Sequence, residues 1–219
     1  MFLGHYAVAF AGTGAAPRAN LGVLFAAAQL PDLIWPIFLL LGWERVAIEP
    51  GNTAFTPLDF VSYPISHSLL ADVGWAIAAG AVYFALRRDE RGALVVGLLV
   101  ISHWILDWIV HAPDLPLIPG GETRAGLGLW DSVPATLLVE VLLLIAGLTI
   151  YTRITRGVDR VGRLGLVGLV LLLLVIYANN LVAPPPTDPM MLALFALSAA
   201  LFPILAAYVD GRREVVSTI

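Results

Sequence analysis

The chain has 219 residues, of which 59% are hydrophobic and 13% are charged, and its mean hydropathy is +0.89. This composition excludes an ordinary water-soluble domain and predicts a single integral membrane domain. The net charge of -4 and the short, separated arginine clusters exclude a basic face that could follow a nucleic-acid backbone. Because the chain has no cysteine, disulfides and thiolate metal ligands are both excluded.

Long apolar stretches follow one another along the chain. A bilayer core needs roughly 20 apolar residues in a helix. The stretches that meet this length are 21–43, 66–86, 92–112, 131–151, 162–182 and 190–209. Residues 2–16 are apolar but too short to cross, so we expect an interfacial, re-entrant or partly inserted helix there. The sequence therefore predicts an all-α, polytopic transmembrane bundle of about six spans with a short N-terminal helix.

Arginine supplies every cation of the chain, and its placement between the spans is uneven. Arg45 and Arg124 fall on one side of the six-span arrangement, and all the other arginines fall on the opposite side. By the positive-inside rule the arginine-rich side is cytoplasmic. This predicts a prokaryotic inner-membrane protein with a cytoplasmic C-terminus and with external loops at 44–65 and 113–130.

The third span carries polar residues at steps of four, in SHWILDWIVH. His103, Asp107 and His111 form one stripe on this helix, and an ionisable side chain in a span costs several kcal/mol unless it is paired or hydrated. His103 and His111 lie about 12 Å apart along the axis and cannot bind the same ion. We therefore expect His103 and Asp107 to chelate a metal together. His111 would then bind a second ion, form a hydrogen bond with a ligand of the first ion, or contact the substrate.

Other polar residues fall at compatible depths. Asp32 lies midway along the first span between Pro31 and Pro36, which predicts a broken helix that lines a cavity. His67 opens the second span, and His5 lies in the short N-terminal helix. No arginine lies deep in the spans, so a metal cation would supply the positive charge that these carboxylates lack.

Simpler interpretations stay open for some of these residues. A lone His or Asp in a span often forms a hydrogen bond between helices, as we would expect of His5 or Asp72 taken alone. His67, close to the membrane surface, could be solvated. Glu140 in the fourth span could pair with a serine or with water.

Four short motifs occur in a fixed order: an early His in LGHYAVAF, a PD pair in QLPDL, an HS pair in SHSLL and HxxxD in SHWILD. This pattern resembles the bacterial membrane-bound metal-dependent hydrolase family, which is itself similar to zinc-dependent phospholipases C. The likeness covers about residues 1–140. It implies that the metal ligands are His5, Asp32, His67, His103 and Asp107. The lead-in HRGxTHS of that family is shortened here to the YPIS that precedes His67.

We therefore expect a membrane-embedded hydrolase that uses one or two divalent ions, zinc being the metal that imidazole and carboxylate ligands favour. Its substrate would be a lipid or another amphiphile, cut at a phosphoester or acyl bond near the external face, with His111 or Glu140 shuttling a proton. Residues 1–20 would form the short helix and the Arg18 turn, 21–152 the metal-site core, and 153–219 two supporting spans with a tail.

Three alternatives remain. One is an ion-coupled or proton-coupled transporter, because Asp and His in broken helices also mark ion pathways. Another is a ceramidase-like amide hydrolase, for which Ser66, Ser68 and Ser102 are candidates. The last is a membrane scaffold without catalytic activity.

Overall fold

The computed structural model describes residues 1–184 and 186–216 and is mostly helical. The helices are α1 (Leu3–Ala15), α2 (Leu21–Ala28), α3 (Leu30–Leu40), α4 (Leu69–Arg87), α5 (Glu90–Val110), α6 (Val133–Ile154), α7 (Arg160–Val182), α8 (Pro189–Leu197) and α9 (Leu201–Asp210). The strands are β1 (Arg45–Ile48), β2 (Leu58–Ser62), β3 (Leu115–Pro116), β4 (Arg124–Ala125), β5 (Thr155–Gly157) and β6 (Arg213–Val215).

The short strands form three antiparallel pairs, β1 with β2, β3 with β4 and β5 with β6. The predicted all-α class is therefore correct for the bundle but not for the whole chain. The strands lie in connections between helices, except for β6, which follows α9. In such segments the backbone N–H and C=O groups have no helical partners and must find others.

Five helical stretches in the described part of the chain are long and apolar enough to cross a membrane. They are α4, α5, α6, α7 and the continuous stretch Pro189–Asp210 that contains α8 and α9. Helices α2 and α3 pass the same test together, but they are bent by 55° at the break between them. The chain is thus a membrane protein of five spans, or of six if the bent pair is one span, in agreement with the predicted number.

The break in the first span lies at Gln29, between α2 and α3. Pro31 sits in the first turn of α3 and has no N–H with which to continue the hydrogen-bond ladder of α2. Pro36 lies inside α3. The predicted interruption of this span is therefore confirmed, and it places Asp32 in the first turn of the second half.

Side-chain caps fix where several spans begin. The side chains of Asn20, Ser68, Asp89 and Asp159 accept hydrogen bonds from backbone N–H groups in the first turns of α2, α4, α5 and α7. Such caps satisfy N–H groups that have no partner within the helix. The cap at Ser68 matters most for the site, because it sets the start of α4 directly after His67.

Helix α1 packs inside the bundle rather than on its surface. Most of its residues are buried, and it lies along α6, α2 and α5. The backbones of α1 and α6 approach closely at Gly147, where a Cβ atom would collide with the carbonyl oxygen of Ala7. Residues 2–16 therefore contain a helix that the bundle encloses, and their depth in the membrane stays a prediction.

The two ends of the bundle differ in character. At the end that we call the basic end, the Arg18 turn, the α4–α5 turn and the β5–β6 pair lie together, and Arg213 donates to the Gly162 carbonyl oxygen at 2.6 Å. The opposite end, called the loop end, consists of the β1–β2 hairpin and the segment 111–132. Residue 185, in the connection between α7 and α8, lies outside the described residues, as do residues 217–219 of the tail.

Candidate metal centre

Five side chains predicted from the sequence meet between the helices near the loop end. His5 comes from α1, Asp32 from α3, His67 from the residue pair before α4, and His103 and Asp107 from successive turns of α5. They form two sets whose ligand atoms lie within 4.8 Å of one another: His5, His103 and Asp107, and Asp32, His67 and His103. His103 belongs to both sets, and because a neutral imidazole has one lone pair, His103 can bind only one ion at a time.

Asp107 lies at the centre of the first set. Its Oδ1 atom is 3.1 Å from His5 Nε2 and also accepts a hydrogen bond from the amino group of Met1. Its Oδ2 atom is 3.1 Å from His103 Nε2 and 3.9 Å from His67 Nε2. The Met1 amino group therefore lies on the Oδ1 side only, and the Oδ2 side faces imidazole nitrogens.

Asp32 joins the second set from the more open side. Its Oδ1 atom is 3.3 Å from His67 Nε2 and 3.8 Å from His103 Nε2. The side chain of Asp32 is 40% exposed, whereas those of His67 and His103 are 5% and 0% exposed. The rings of His5 and His103 stack at 3.8 Å, which closes the opposite side. Access to the five residues is consequently from the side of Asp32.

The proton on His103 is placed by its outer contact. Nδ1 lies 2.8 Å from the carbonyl oxygen of Ala28, and because a carbonyl oxygen only accepts hydrogen bonds, Nδ1 carries the proton. In a neutral ring Nε2 then has a free lone pair, and it has no hydrogen-bond partner among the described residues. Metal-binding histidines show this arrangement, in which the outer nitrogen donates to a carbonyl or carboxylate oxygen.

His67 is held in the same way through an intermediary. Its Nδ1 atom lies 2.7 Å from Ser66 Oγ, and Ser66 Oγ lies 2.6 Å from Glu44 Oε2. Since an ionised carboxylate only accepts, the Ser66 hydroxyl donates to Glu44 and accepts from Nδ1–H of His67. The Nε2 atom of His67 thus also points its lone pair toward the centre.

These two tautomers leave acceptor atoms facing one another. The Nε2 lone pairs of His67 and His103 point at carboxylate oxygens of Asp32 and Asp107, and neither partner has a proton to donate. Such a cluster is unfavourable in a buried site unless a cation or an added proton lies between the groups. The donor set therefore fits a metal ion.

Glu44 is a functional candidate that the sequence did not reveal. It follows the first span, it is only 1% exposed, and its Oε1 atom accepts from the backbone N–H groups of Ile65 at 2.7 Å and Ser66 at 2.8 Å. A glutamate directly after an apolar stretch reads as a solvated loop residue. No local sequence pattern predicts the contact of Glu44 with residues more than twenty positions later, because only the fold brings these residues together.

His111 lies outside both ligand sets. Its Nδ1 atom and the hydroxyl of Tyr63 each lie 3.0 Å from Asp114 Oδ1. Burial raises the pKa of Tyr63, and the nearby Asp114 raises it further, so the hydroxyl stays protonated and donates. The Tyr63 ring lies between His67 and His111, at 5.5 Å and 6.1 Å. Proton transfer by His111 stays a prediction. A proton that moved from the candidate ligands to His111 would have to pass the Tyr63 side chain.

Glu140 makes a structural contact with α1. One of its oxygens accepts from the backbone N–H groups of Leu3 at 2.5 Å and Gly4 at 3.2 Å, at the start of that helix. Among the described residues no hydrogen bond joins Glu140 to the five candidate ligands. Its predicted role in proton transfer stays a prediction, while its role as a cap of α1 follows from the geometry.

The remaining polar candidates do not enter the cluster directly. Ser68 donates to the Pro64 carbonyl oxygen and Ser102 to that of Leu99, so Ser66 alone of the three serines contacts a candidate ligand. Asp72 is buried in α4, and in the described part of the chain neither of its oxygens has a hydrogen-bond partner. It therefore does not bond α4 to a neighbouring helix.

No protein-family model, curated protein or solved structure matches this chain. The likeness to membrane-bound metal-dependent hydrolases consequently remains a prediction from the four motifs. The geometry of the five residues and of their outer contacts is what bears on function.

Proposed function

We propose that this protein is a membrane-embedded, metal-dependent hydrolase that acts on a lipid or another amphiphile. The observation that carries the proposal is the convergence of two three-residue sets on His103, with the Nε2 lone pairs of His67 and His103 aimed at two carboxylates. An outer hydrogen bond that fixes the tautomer is the usual support of a metal-binding histidine.

Zinc is the metal that these ligands favour. Imidazole nitrogen and carboxylate oxygen suit zinc, and catalytic zinc sites keep three protein ligands and one open position. Because the two sets share His103, the five residues support one ion with three or more ligands, and a second ion only with the ligands that the first leaves free. When bound, zinc would polarise a carbonyl or phosphoryl oxygen and lower the pKa of water toward about 7.

Asp32 is the residue placed to handle a proton on the accessible side. Its Oδ1 atom faces His67 and His103, and its partly exposed side chain leaves Oδ2 free of protein hydrogen bonds in the described residues. Oδ2 can therefore orient a water molecule and accept its proton. The buried His5, His103 and Asp107 exclude bulk water from the other side.

The surroundings favour an amphiphilic substrate. The candidate ligands lie among helices whose outer surfaces carry exposed leucine, isoleucine and valine side chains. A substrate that approaches Asp32 therefore passes between an apolar bundle surface and the loop end. A lipid has both the apolar part and the polar, hydrolysable part that such a location requires.

We further propose that the basic end is cytoplasmic and that the site faces the extracytoplasmic side of a prokaryotic inner membrane. The arginines are concentrated at the basic end, as the positive-inside rule requires. His67 precedes α4 at the loop end, and His103 and Asp107 lie in the half of α5 farther from Glu90.

The first test is the metal content of the protein purified in mild detergent and loaded with zinc. We expect at least one zinc ion per chain in the wild type and none in His103→Ala, because both sets contain His103. Ser102→Ala is the matched control, since Ser102 is the neighbouring residue and its hydroxyl contacts only the Leu99 carbonyl oxygen. Folded wild-type protein that cannot be loaded with zinc would rule out the proposal.

Catalysis is tested on the same preparations with fluorogenic phosphodiester and carboxylic-ester lipids. We expect zinc-dependent hydrolysis that a chelator abolishes and that is lost in His103→Ala and Asp107→Ala. If either variant still hydrolysed these lipids, the reaction would not depend on the bound metal, and the hydrolase proposal would be contradicted.

A transporter is the second candidate, and the 55° break beside Asp32 favours it, because interrupted spans with acidic residues hold ions in transporters. It predicts substrate flux in proteoliposomes that survives zinc removal and is lost in Asp32→Asn. The ceramidase-like alternative is less well supported, because the Ser66 hydroxyl is buried and already donates to Glu44.

A further inference from the structure

Three arginines line a cavity at the basic end. Arg18, Arg87 and Arg88 surround a cavity of about 210 Å³ together with Tyr83, Leu86 and Asp89. Within the described residues, the arginines that form ion pairs are Arg156 and Arg212, so none of these three is neutralised by a carboxylate. Asp89, whose Oδ1 atom accepts from the N–H of Gly92, contributes one negative charge against the three positive charges of the arginines. The cavity therefore carries an excess of positive charge.

An apolar groove of about 360 Å³ continues from this cavity toward the middle of the bundle. Tyr83, Leu86 and Arg87 line both the groove and the cavity, so the two adjoin, and we refer to them together as the depression. The rest of the groove is lined chiefly by small and branched apolar residues of α2, α4 and α5: Val23, Ala26, Ala27, Leu30, Ala79, Val82 and Val96. Val82 and Leu86 are 60% and 76% exposed, so the groove opens on the apolar flank of the bundle.

We propose that this depression binds an anionic phospholipid, with the phosphate among the three arginines and an acyl chain in the groove. Guanidinium groups bind phosphate through paired hydrogen bonds, which suits Arg18 and Arg87. A free phosphate ion would leave the apolar groove uncovered, and a zwitterionic lipid would leave the excess positive charge unbalanced. An anionic phospholipid satisfies both parts of the depression.

This lipid site is separate from the candidate metal centre. The arginines lie at the basic end, whereas His67, His103 and Asp107 lie near the loop end. The lipid would fill the space between α2 and α4, which both pack against α5. The inference does not depend on the hydrolase proposal, and a lipid held here is not the substrate of the metal centre.

The test is native mass spectrometry of the full chain with phosphatidylglycerol and phosphatidylcholine of identical acyl chains. We expect the wild type to bind phosphatidylglycerol at least about tenfold more tightly than phosphatidylcholine, and Arg18→Gln/Arg87→Gln to lose this preference. Arg153→Gln/Arg160→Gln is the matched control, since both arginines are exposed in the described structure and do not line the cavity. Equal binding of the two lipids by the wild type, or an unchanged preference in the Arg18/Arg87 variant, would overturn the proposal.

A second variant tests the acyl-chain part. Ala79→Phe fills the groove, and we expect it to weaken phosphatidylglycerol binding while the three arginines remain in place. The lipid proposal fails if two results are found together. The first is that Ala79→Phe binds phosphatidylglycerol as tightly as the wild type, and the second is that inorganic phosphate displaces the lipid at concentrations comparable with that of the lipid. The depression would then be a phosphate site. The gel-filtration profile and the thermal unfolding of each variant in detergent report whether the bundle is still folded.

Discussion

Glu44 supports the candidate metal centre although it is not one of the five candidate ligands. Its carboxylate accepts three hydrogen bonds, from the N–H groups of Ile65 and Ser66 and from the Ser66 hydroxyl. The hydroxyl in turn accepts from Nδ1–H of His67. All three groups donate to Glu44 in this arrangement, and a carboxylate can accept from all of them while the Ser66 hydroxyl accepts from His67. The orientation of the His67 ring therefore depends on Glu44.

We predict that Glu44→Gln weakens zinc binding by about 10- to 100-fold, the usual effect of losing an outer contact of a metal-binding histidine. The amide NH2 group of glutamine would donate to Ser66 Oγ, so the hydroxyl would donate to His67 Nδ1 and the ring proton would move to Nε2, the atom that zinc needs. Competition titration with a zinc chelator measures the change in affinity.

Two variants make this result specific. Ser66→Ala should weaken zinc binding to a similar degree, because it removes the same link to His67. Glu49→Gln, at an exposed position of the same segment, should leave the affinity unchanged. Zinc affinity that is unaltered in both Glu44→Gln and Ser66→Ala would show that the contact does not position His67.

At the scale of elements, the break between α2 and α3 serves the site in two ways. Ala28 is the last residue of α2, and the final carbonyl groups of a helix have no partner within it. The Ala28 carbonyl oxygen is thereby available to His103 Nδ1. The same break places Asp32 in the first turn of α3, where it faces His67 and His103. An unbroken helix would supply neither contact in this way.

The close packing of α1 on α6 brings His5 to the centre. Gly147 permits the approach, because any larger residue would strike the backbone of Ala7. We predict that Gly147→Val destabilises the protein by about 1–3 kcal/mol and lowers its zinc content, since overpacking forces the two helices apart. Thermal unfolding in detergent and zinc analysis report the two effects.

Gly168→Val is the control for this variant. A Cβ atom at Gly168 of α7 would meet no atom within 4 Å in the described structure. We expect its unfolding temperature and zinc content to match those of the wild type. Equal stability of the Gly147 and Gly168 variants would mean that the α1–α6 contact is not tight.

At the scale of the whole molecule, charge separates the two ends of the bundle. The basic end contains the Arg18 turn, the α4–α5 turn and the β5–β6 pair, whereas the candidate metal centre lies near the loop end. Charged loops cross a membrane with difficulty, and arginine-rich ones are retained in the cytoplasm. On the proposed orientation, the distribution of arginine would place the basic end in the cytoplasm and the candidate metal centre on the opposite side.

The native chain has no cysteine, so single cysteines can be placed at each end without a background. In intact spheroplasts, we predict that a membrane-impermeant maleimide labels Ile118→Cys at the loop end and does not label Val158→Cys at the basic end. Both positions are exposed, at 51% and 65%. Lysed cells, in which both variants should react, provide the control. The opposite labelling pattern would reverse the proposed orientation.

The sequence predicted about six helical spans, where the structure has five, or six if α2 and α3 form one, and it named the five side chains that converge. Hydropathy predicts spans because each must cover a fixed thickness of membrane with apolar residues, whichever neighbours it packs against. The four-residue step between His103 and Asp107 places both on one helix face, and this relation is local. His5, Asp32 and His67 were connected to that pair by the order of their motifs alone.

Only the tertiary structure decided how these residues are supported and what surrounds them. Glu44 and Ser66, or Ala28 and His103, are far apart in sequence, and their contacts follow from how separate helices pack. The same holds for Glu140, which reads as a buried acid in the sequence and proves to cap α1. Hydropathy is a property of each segment, whereas a hydrogen bond between segments depends on the position and rotation of both.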